Sequence, residues 1–178
     1  QQIKRYAERA LALDGEQAEA WAGLGLYHFN RNTPESLELA IQHLERALEI
    51  NPAMLDAANW LQSALLAVGR QQDALALLEA MVARDPLYRP AVSNLNFTYR
   101  RLNQTDKMKA LLDRLRPFWG GRSRFAVLTV LHINATGDFS AALPVAQAAH
   151  DAMPDEYFHV SALGRTLFWL NDWEGVVA

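Results

Sequence analysis

Apolar residues in this chain recur at the spacing of a helix face. Trp21, Leu24, Gly25 and His28 fall at i, i+3, i+4 and i+7, and Ala40, Leu44, Ala47 and Leu48 resume the rule after a polar break. Pro52 then stands where proline ends a helix. The pattern predicts two helices joined by a short turn, each burying one apolar stripe and showing polar residues elsewhere.

The same arrangement returns every 34 residues. Pro52, Pro86 and Pro154 are 34 and 68 apart, with Gly120 in the intervening slot. Gly69, Asn103, Gly137 and Asn171 form a second row, Ala74, Met108, Ala142 and Val176 a third, and Leu78, Leu112 and Ala146 a fourth. Four rows sharing one phase mark a true internal repeat. The Gly/Asn row lies between the two helices of each unit, where a left-handed residue closes the first helix. Only Gly and Asn adopt that conformation cheaply.

Trp21-x-x-Leu24-Gly25 followed by Ala40, Leu44, Ala47 and Pro52 resembles the tetratricopeptide repeat, and the resemblance covers essentially the whole chain. It implies an all-α fold, a right-handed α-α superhelix of antiparallel helical hairpins. Residues 1–17 read as the second helix of a preceding repeat. Full repeats follow at 18–54, 55–88, 89–122 and 123–156, and 157–178 is a truncated one. Half-repeats at both ends, without the polar capping repeats that solenoids need, point to an excerpt of a longer, bacterial-style array.

Departures from the repeat are local. Gly15 to Pro52 is 37 residues, and the extra three are expected in the turn around Arg31 to Glu35, with Thr33 as N-cap and Pro34 at the first helical position. The third repeat offers Val92, Leu95 and Asn96 in place of Trp, Leu and Gly. Its second helix is expected to stop at Pro117, with Phe118 to Gly121 as the connection. Pro144 is expected in or just after the first turn of its helix. Trp21, Leu24, Leu44, Leu61, Leu78, Leu95, Leu112 and Leu163 read as interior packing.

Composition removes several function classes. There is no cysteine, hence no disulfide, thiolate metal site or cysteine nucleophile. The five histidines (His28, His43, His132, His150, His159) form no zinc-ligand spacing, and no phosphate loop, dinucleotide fingerprint or nucleophile elbow occurs. The segment reads as non-enzymatic, with no cofactor and no metal. Matches to Asn-x-Ser/Thr at Asn96, Asn103 and Asn134 read as chance. No apolar run approaches the roughly 20 residues that span a bilayer, and a cysteine-free chain without a visible signal segment favours the cytoplasm.

Charge is sorted along the chain. Residues 84–124 carry ten Lys and Arg against three acids, a net +7, while the remainder carries seven against seventeen, a net −10. A field of that kind steers a charged partner.

In arrays of this family the first helices line a concave groove that holds a peptide or protein segment. By register the resemblance places Asn59, Ser63, Ser93, Asn94, Phe97, Arg100, Arg101, Arg124, Leu131, Asn134 and Arg165 there. Asn can both donate to and accept from a peptide backbone, Arg grips carboxylates with paired hydrogen bonds, and Phe or Leu supplies an apolar anchor. The clamp with which some relatives capture a chaperone's terminal carboxylate is matched poorly: Ala22, Leu26, Trp60, Pro90 and Asn94 occupy it in one register. Asn59, Ser63, Asn94, Arg124 and Leu128 do so in the next, a partial match. The expected role is a protein-interaction scaffold whose partner is acidic where it meets the third repeat. The alternatives are a sensor or docking tail of a bacterial regulator, such as a nucleotide cyclase or winged-helix transcription factor, and nucleic-acid binding through the basic block, disfavoured by the net charge of −3. Homo-oligomerisation through exposed solenoid ends is a further expectation.

Overall fold

The computed structural model describes residues 1–120, 123–155 and 157–170, apart from the side chains of Ser123 and Arg124. Asn171 and Val176, the last members of two repeat rows, lie outside the described residues. Ten helices and no strand occur among the described residues. The helices group into two compact units, Gln1–Val92 and Ser93–Ala178.

The first unit holds α1 (Gln2–Leu13), α2 (Ala18–Phe29), α3 (Pro34–Ile50), α4 (Leu55–Ala67), α5 (Gln71–Arg84) and the start of α6 (Arg89–Arg101). Successive helices from α1 to α5 pack on one another, and α2 also meets α4. Ala22, Ile41, Leu44, Ala47, Ala57, Leu61, Ala64, Leu65 and Ala74 form one buried cluster. Small residues bring the helices close. A Cβ on Gly25 would lie 2.5 Å from Leu44 Cγ and 3.3 Å from the Ala40 carbonyl oxygen, so only glycine fits there.

The second unit holds the rest of α6, α7 (Thr105–Trp119), α8 (Ser123–Ala135), α9 (Phe139–Ala152) and α10 (Tyr157–Trp169). Helix α8 packs on α7, α9 and α10, and α9 on α10. Val127, Val130, Ala142, Ala146, Ala162, Leu163 and Leu167 form its apolar cluster.

The repeat rows correspond to structure. Ala74, Met108 and Ala142 are fully buried, as are Leu78 and Ala146, with Leu112 only 4% exposed. Of the residues read as interior, all seven leucines are buried, and Trp21 is half-buried with its Nε1 donating to the Gly15 carbonyl at 2.8 Å. Gly69, Asn103 and Gly137 have φ of 83°, 54° and 83°, the left-handed conformation expected of their row. After α4 and α6 the next N–H reaches back across the turn, Arg70 to the Leu65 carbonyl (2.8 Å) and Gln104 to that of Tyr99 (2.9 Å). These bonds satisfy carbonyls that the helix end leaves open.

Asn32 is the fourth left-handed residue, at φ 51°. Asn32 precedes Gly69 by 37, so the three extra residues follow this turn rather than lying in it. They lengthen α3 to 17 residues, against 14 in α5. Thr33 and Ser36 make this possible. Thr33 Oγ1 accepts from the Ser36 N–H (3.3 Å), Ser36 Oγ accepts from the Thr33 N–H (2.8 Å), and Pro34 begins the helix.

The expected stop at Pro117 is corrected. Helix α7 runs through it to Trp119, and the Gly120 N–H still reaches the Arg116 carbonyl at 2.9 Å. In the last turn proline costs a single backbone bond. Trp119 repays that loss by burying its ring, which is 2% exposed. Pro144 is the sixth residue of α9, one turn past the N-cap Asp138, whose carboxylate accepts from the Ala141 N–H at 3.1 Å.

Another row joins those visible in the sequence. Asp14, Asn51 and Asp85, spaced 37 and 34, each follow a helix and accept the N–H two residues on, from Glu16 (3.0 Å), Ala53 (3.0 Å) and Leu87 (2.8 Å). These Asx turns lead the chain out of α1, α3 and α5.

Candidate functional site

The candidate groove residues divide between the units. In the first, Asn59 and Ser63 are half-buried on α4. Ser63 Oγ donates to the Asn59 carbonyl (3.0 Å) and accepts from Gln62 Nε2 (2.6 Å), so the serine is engaged within its own helix. Ser93, Asn94, Phe97, Arg100, Arg101, Leu131, Asn134 and Arg165 belong to the second unit. Arg124 is on α8, and its side chain lies outside the described residues.

Within the second unit, α6, α8 and α10 are the first helices of successive hairpins and carry these residues. On α6, Ser93 is exposed, Asn94 half-buried, and Phe97 exposes 46% of its area. The guanidinium groups of Arg100 and Arg101 lie over the Phe97 ring, 5.3 and 5.8 Å from its centroid. Cations over an aromatic face are held electrostatically, so Phe97 orients both arginines. Arg100 is half-buried, and its Nε has no hydrogen-bond partner among the described residues. Burial and then the like charge of Arg165 on α10 lower the affinity of Arg100 for its proton. Two cations from different hairpins, Arg100 on α6 and Arg165 on α10, therefore act on one another.

The polar lining of α8 is half spent. Asn134 Nδ2 donates to Thr166 Oγ1 on α10 at 3.0 Å, and Thr166 donates onward to the Ala162 carbonyl at 2.9 Å. Asn134 Oδ1 is buried without a partner among the described residues. Leu131 packs against the apolar cluster of the unit rather than standing free. Thr166, fully buried, is the residue sequence reasoning missed. A lone threonine in an apolar helix carries no signal until its neighbour on the preceding hairpin is known.

Among the described residues no group of three or more His, Cys, Asp or Glu is placed to hold a metal ion. None of the helices is long and apolar enough to cross a membrane, again among the described residues.

No protein-family model matches the chain. The PEX5-related proteins of Mus musculus and Homo sapiens are each 26% identical to it over 174 residues, 91% of this chain. The chain spans 30% and 27% of their lengths. Among solved structures, a tetratricopeptide repeat protein from Parabacteroides merdae superposes with a TM-score of 0.78 at 12% identity, over 98% of this chain and 68% of that one. YrrB, a tetratricopeptide-repeat protein with an unusual peptide-binding site, superposes at 0.66 with 15% identity, over 96% and 87%. MamA from Desulfovibrio magneticus gives 0.66 at 16%, over 90% and 89%. The chain has the tetratricopeptide-repeat fold, an all-α array of helical hairpins.

Proposed function

We propose that the chain is a protein-interaction scaffold that holds an acidic peptide segment along α6, α8 and α10, within an array of repeats at 18–54, 55–88, 89–122 and 123–156. One observation carries the reading. Arg100 is half-buried with its Nε unpaired among the described residues, and the like charge of Arg165 acts on it. A carboxylate paired with this guanidinium offsets the repulsion. Phe97, which exposes 46% of its area, provides the apolar anchor beside it. The fold supports a scaffold, and the likeness to YrrB, itself described by its peptide-binding site, supports a peptide as the ligand.

The test is an array of short acidic, neutral and basic peptides probed with the full chain, followed by anisotropy on the best binders. Acidic peptides are expected to be retained. The double variant Arg100→Glu, Arg165→Glu should weaken them by tenfold or more, because each charge-assisted hydrogen bond contributes about 1.5–3 kcal/mol. Circular dichroism checks that the variant remains helical. Equal retention of all three peptide classes, or unchanged affinity in a folded variant, sinks the reading.

A further inference from the structure

Two histidines meet in the first unit, far in sequence from the groove. The rings of His28 on α2 and His43 on α3 have centroids 5.3 Å apart. Trp21 lies 5.4 Å from His43, tilted, and Tyr27 5.0 Å from His28, edge-on, so four rings form one continuous run of aromatic contacts. Both imidazoles are half-buried, and His28 Nδ1 has no hydrogen-bond partner among the described residues. The charged surroundings are mostly positive. From α1 come Lys4, which lies over the Tyr27 ring at 5.8 Å, and its ion-pair partner Glu8 at 3.5 Å. From the turn after α2 comes Arg31, over the same ring at 5.9 Å. Helix α3 contributes His43 itself.

We propose that the His28–His43 pair is a proton-operated latch that holds α1, α2 and α3 together at neutral pH and loosens them when the pair takes up a proton. Uncharged, the two rings pack as ordinary aromatic surface between the helices. A proton on His28 brings a cation into half-buried ring contacts beside Lys4 and Arg31, with Glu8 opposing, and a proton on His43 brings one in beside His28. The second proton sets two like charges in ring contact. Burial is the main influence on both histidines and lowers the proton affinity of each. Lys4 and Arg31 lower that of His28 further, and His28 that of His43. The opened segment therefore binds protons more tightly than the packed one. The latch is intact above the ordinary histidine value of 6.5 and is released as pH falls below it.

Native-state hydrogen exchange between pH 7.5 and 5, corrected for intrinsic exchange, reads the latch directly. The open population of α1–α3 is expected to rise by up to about tenfold per pH unit for each proton bound, while α4 and α5 change less. A His28→Phe, His43→Phe variant keeps the rings and should abolish the rise. His132, His150 and His159 are in the second unit and do not enter a readout confined to α1–α3. In case the variant fails to fold, histidine NMR titration of the unaltered chain decides independently: midpoints below 6.5 for both rings support the latch. A midpoint at or above that value, as when the pair shares one proton, overturns it, as does a pH-independent α1–α3.

Discussion

Position 25 and its counterparts show how far one residue sets the quality of a repeat. At Gly25 two helices touch so closely that a methyl group would overlap Leu44, which is fully buried. Gly25→Ala should therefore cost about 1–3 kcal/mol, the range for overpacking, read as a lowered urea midpoint at unchanged slope. The equivalent place, 37 and then 34 residues on, is taken by Gln62 and Asn96, exposed 2% and 1%. Gln62 keeps one bond, to Ser63, but neither amide atom of Asn96 has a partner among the described residues. A buried unsatisfied amide costs about 1–3 kcal/mol. Asn96→Ala is accordingly expected to raise stability by about 1 kcal/mol. A loss of similar size would show that the amide is satisfied in solution. The same burial removes Asn96 from the set of sites a modifying enzyme can reach, in keeping with its glycosylation pattern being a chance match.

At the scale of the element, helix ends account for most of what distinguishes one hairpin from the next. Helix α3 is longer than α5 because Thr33 and Ser36 cap it reciprocally, so three additional residues are helical rather than looped. Thr33→Ala should remove about 1 kcal/mol and fray the first turn, seen as faster amide exchange at Leu37 and its neighbours. The Asx turns at Asp14, Asn51 and Asp85 stand one place before Gly15, Pro52 and Pro86, where the sequence carries no distinct signal because an acid or amide also fits a solvated loop. Pro117 was misread for a related reason. Local rules count the backbone bond that proline forfeits, whereas the burial of Trp119, two residues later, is set by tertiary packing.

Across the whole molecule, charge and locality set what to expect. The first unit carries eight Lys and Arg against twelve acids, and the second nine against eight. Most of the basic block falls in the second unit, whose own acids nearly balance it. Lys109 and Arg116 share Asp113, at 2.6 and 3.9 Å, whereas Arg100 is half-buried with its Nε unpaired among the described residues. Binding of an acidic peptide should then weaken only gently with salt, whereas a nucleic acid gripped by several cations would show a steep log–log slope. A titration from about 50 to 200 mM salt separates the two. Because each repeat contacts only its neighbours, Gly25→Ala should leave amide protection in α8–α10 unchanged, and loss of protection there would contradict a locally stabilised array.

By itself the sequence determined the helices, their 34-residue period, the buried row of Ala74, Met108 and Ala142, and the left-handed turns at Gly69, Asn103 and Gly137. Each follows from interactions within about one turn of the chain or from a periodic apolar stripe. Tertiary structure alone decided which polar side chains remain unpaired, since a partner such as Thr166 for Asn134 stands 32 residues away. It also decided that Leu131 packs against the apolar cluster, that Arg100 lies under the influence of Arg165, and that the rings of His28 and His43 meet. Burial and like-charge proximity are properties of packed neighbours, and no spacing along a single helix encodes them.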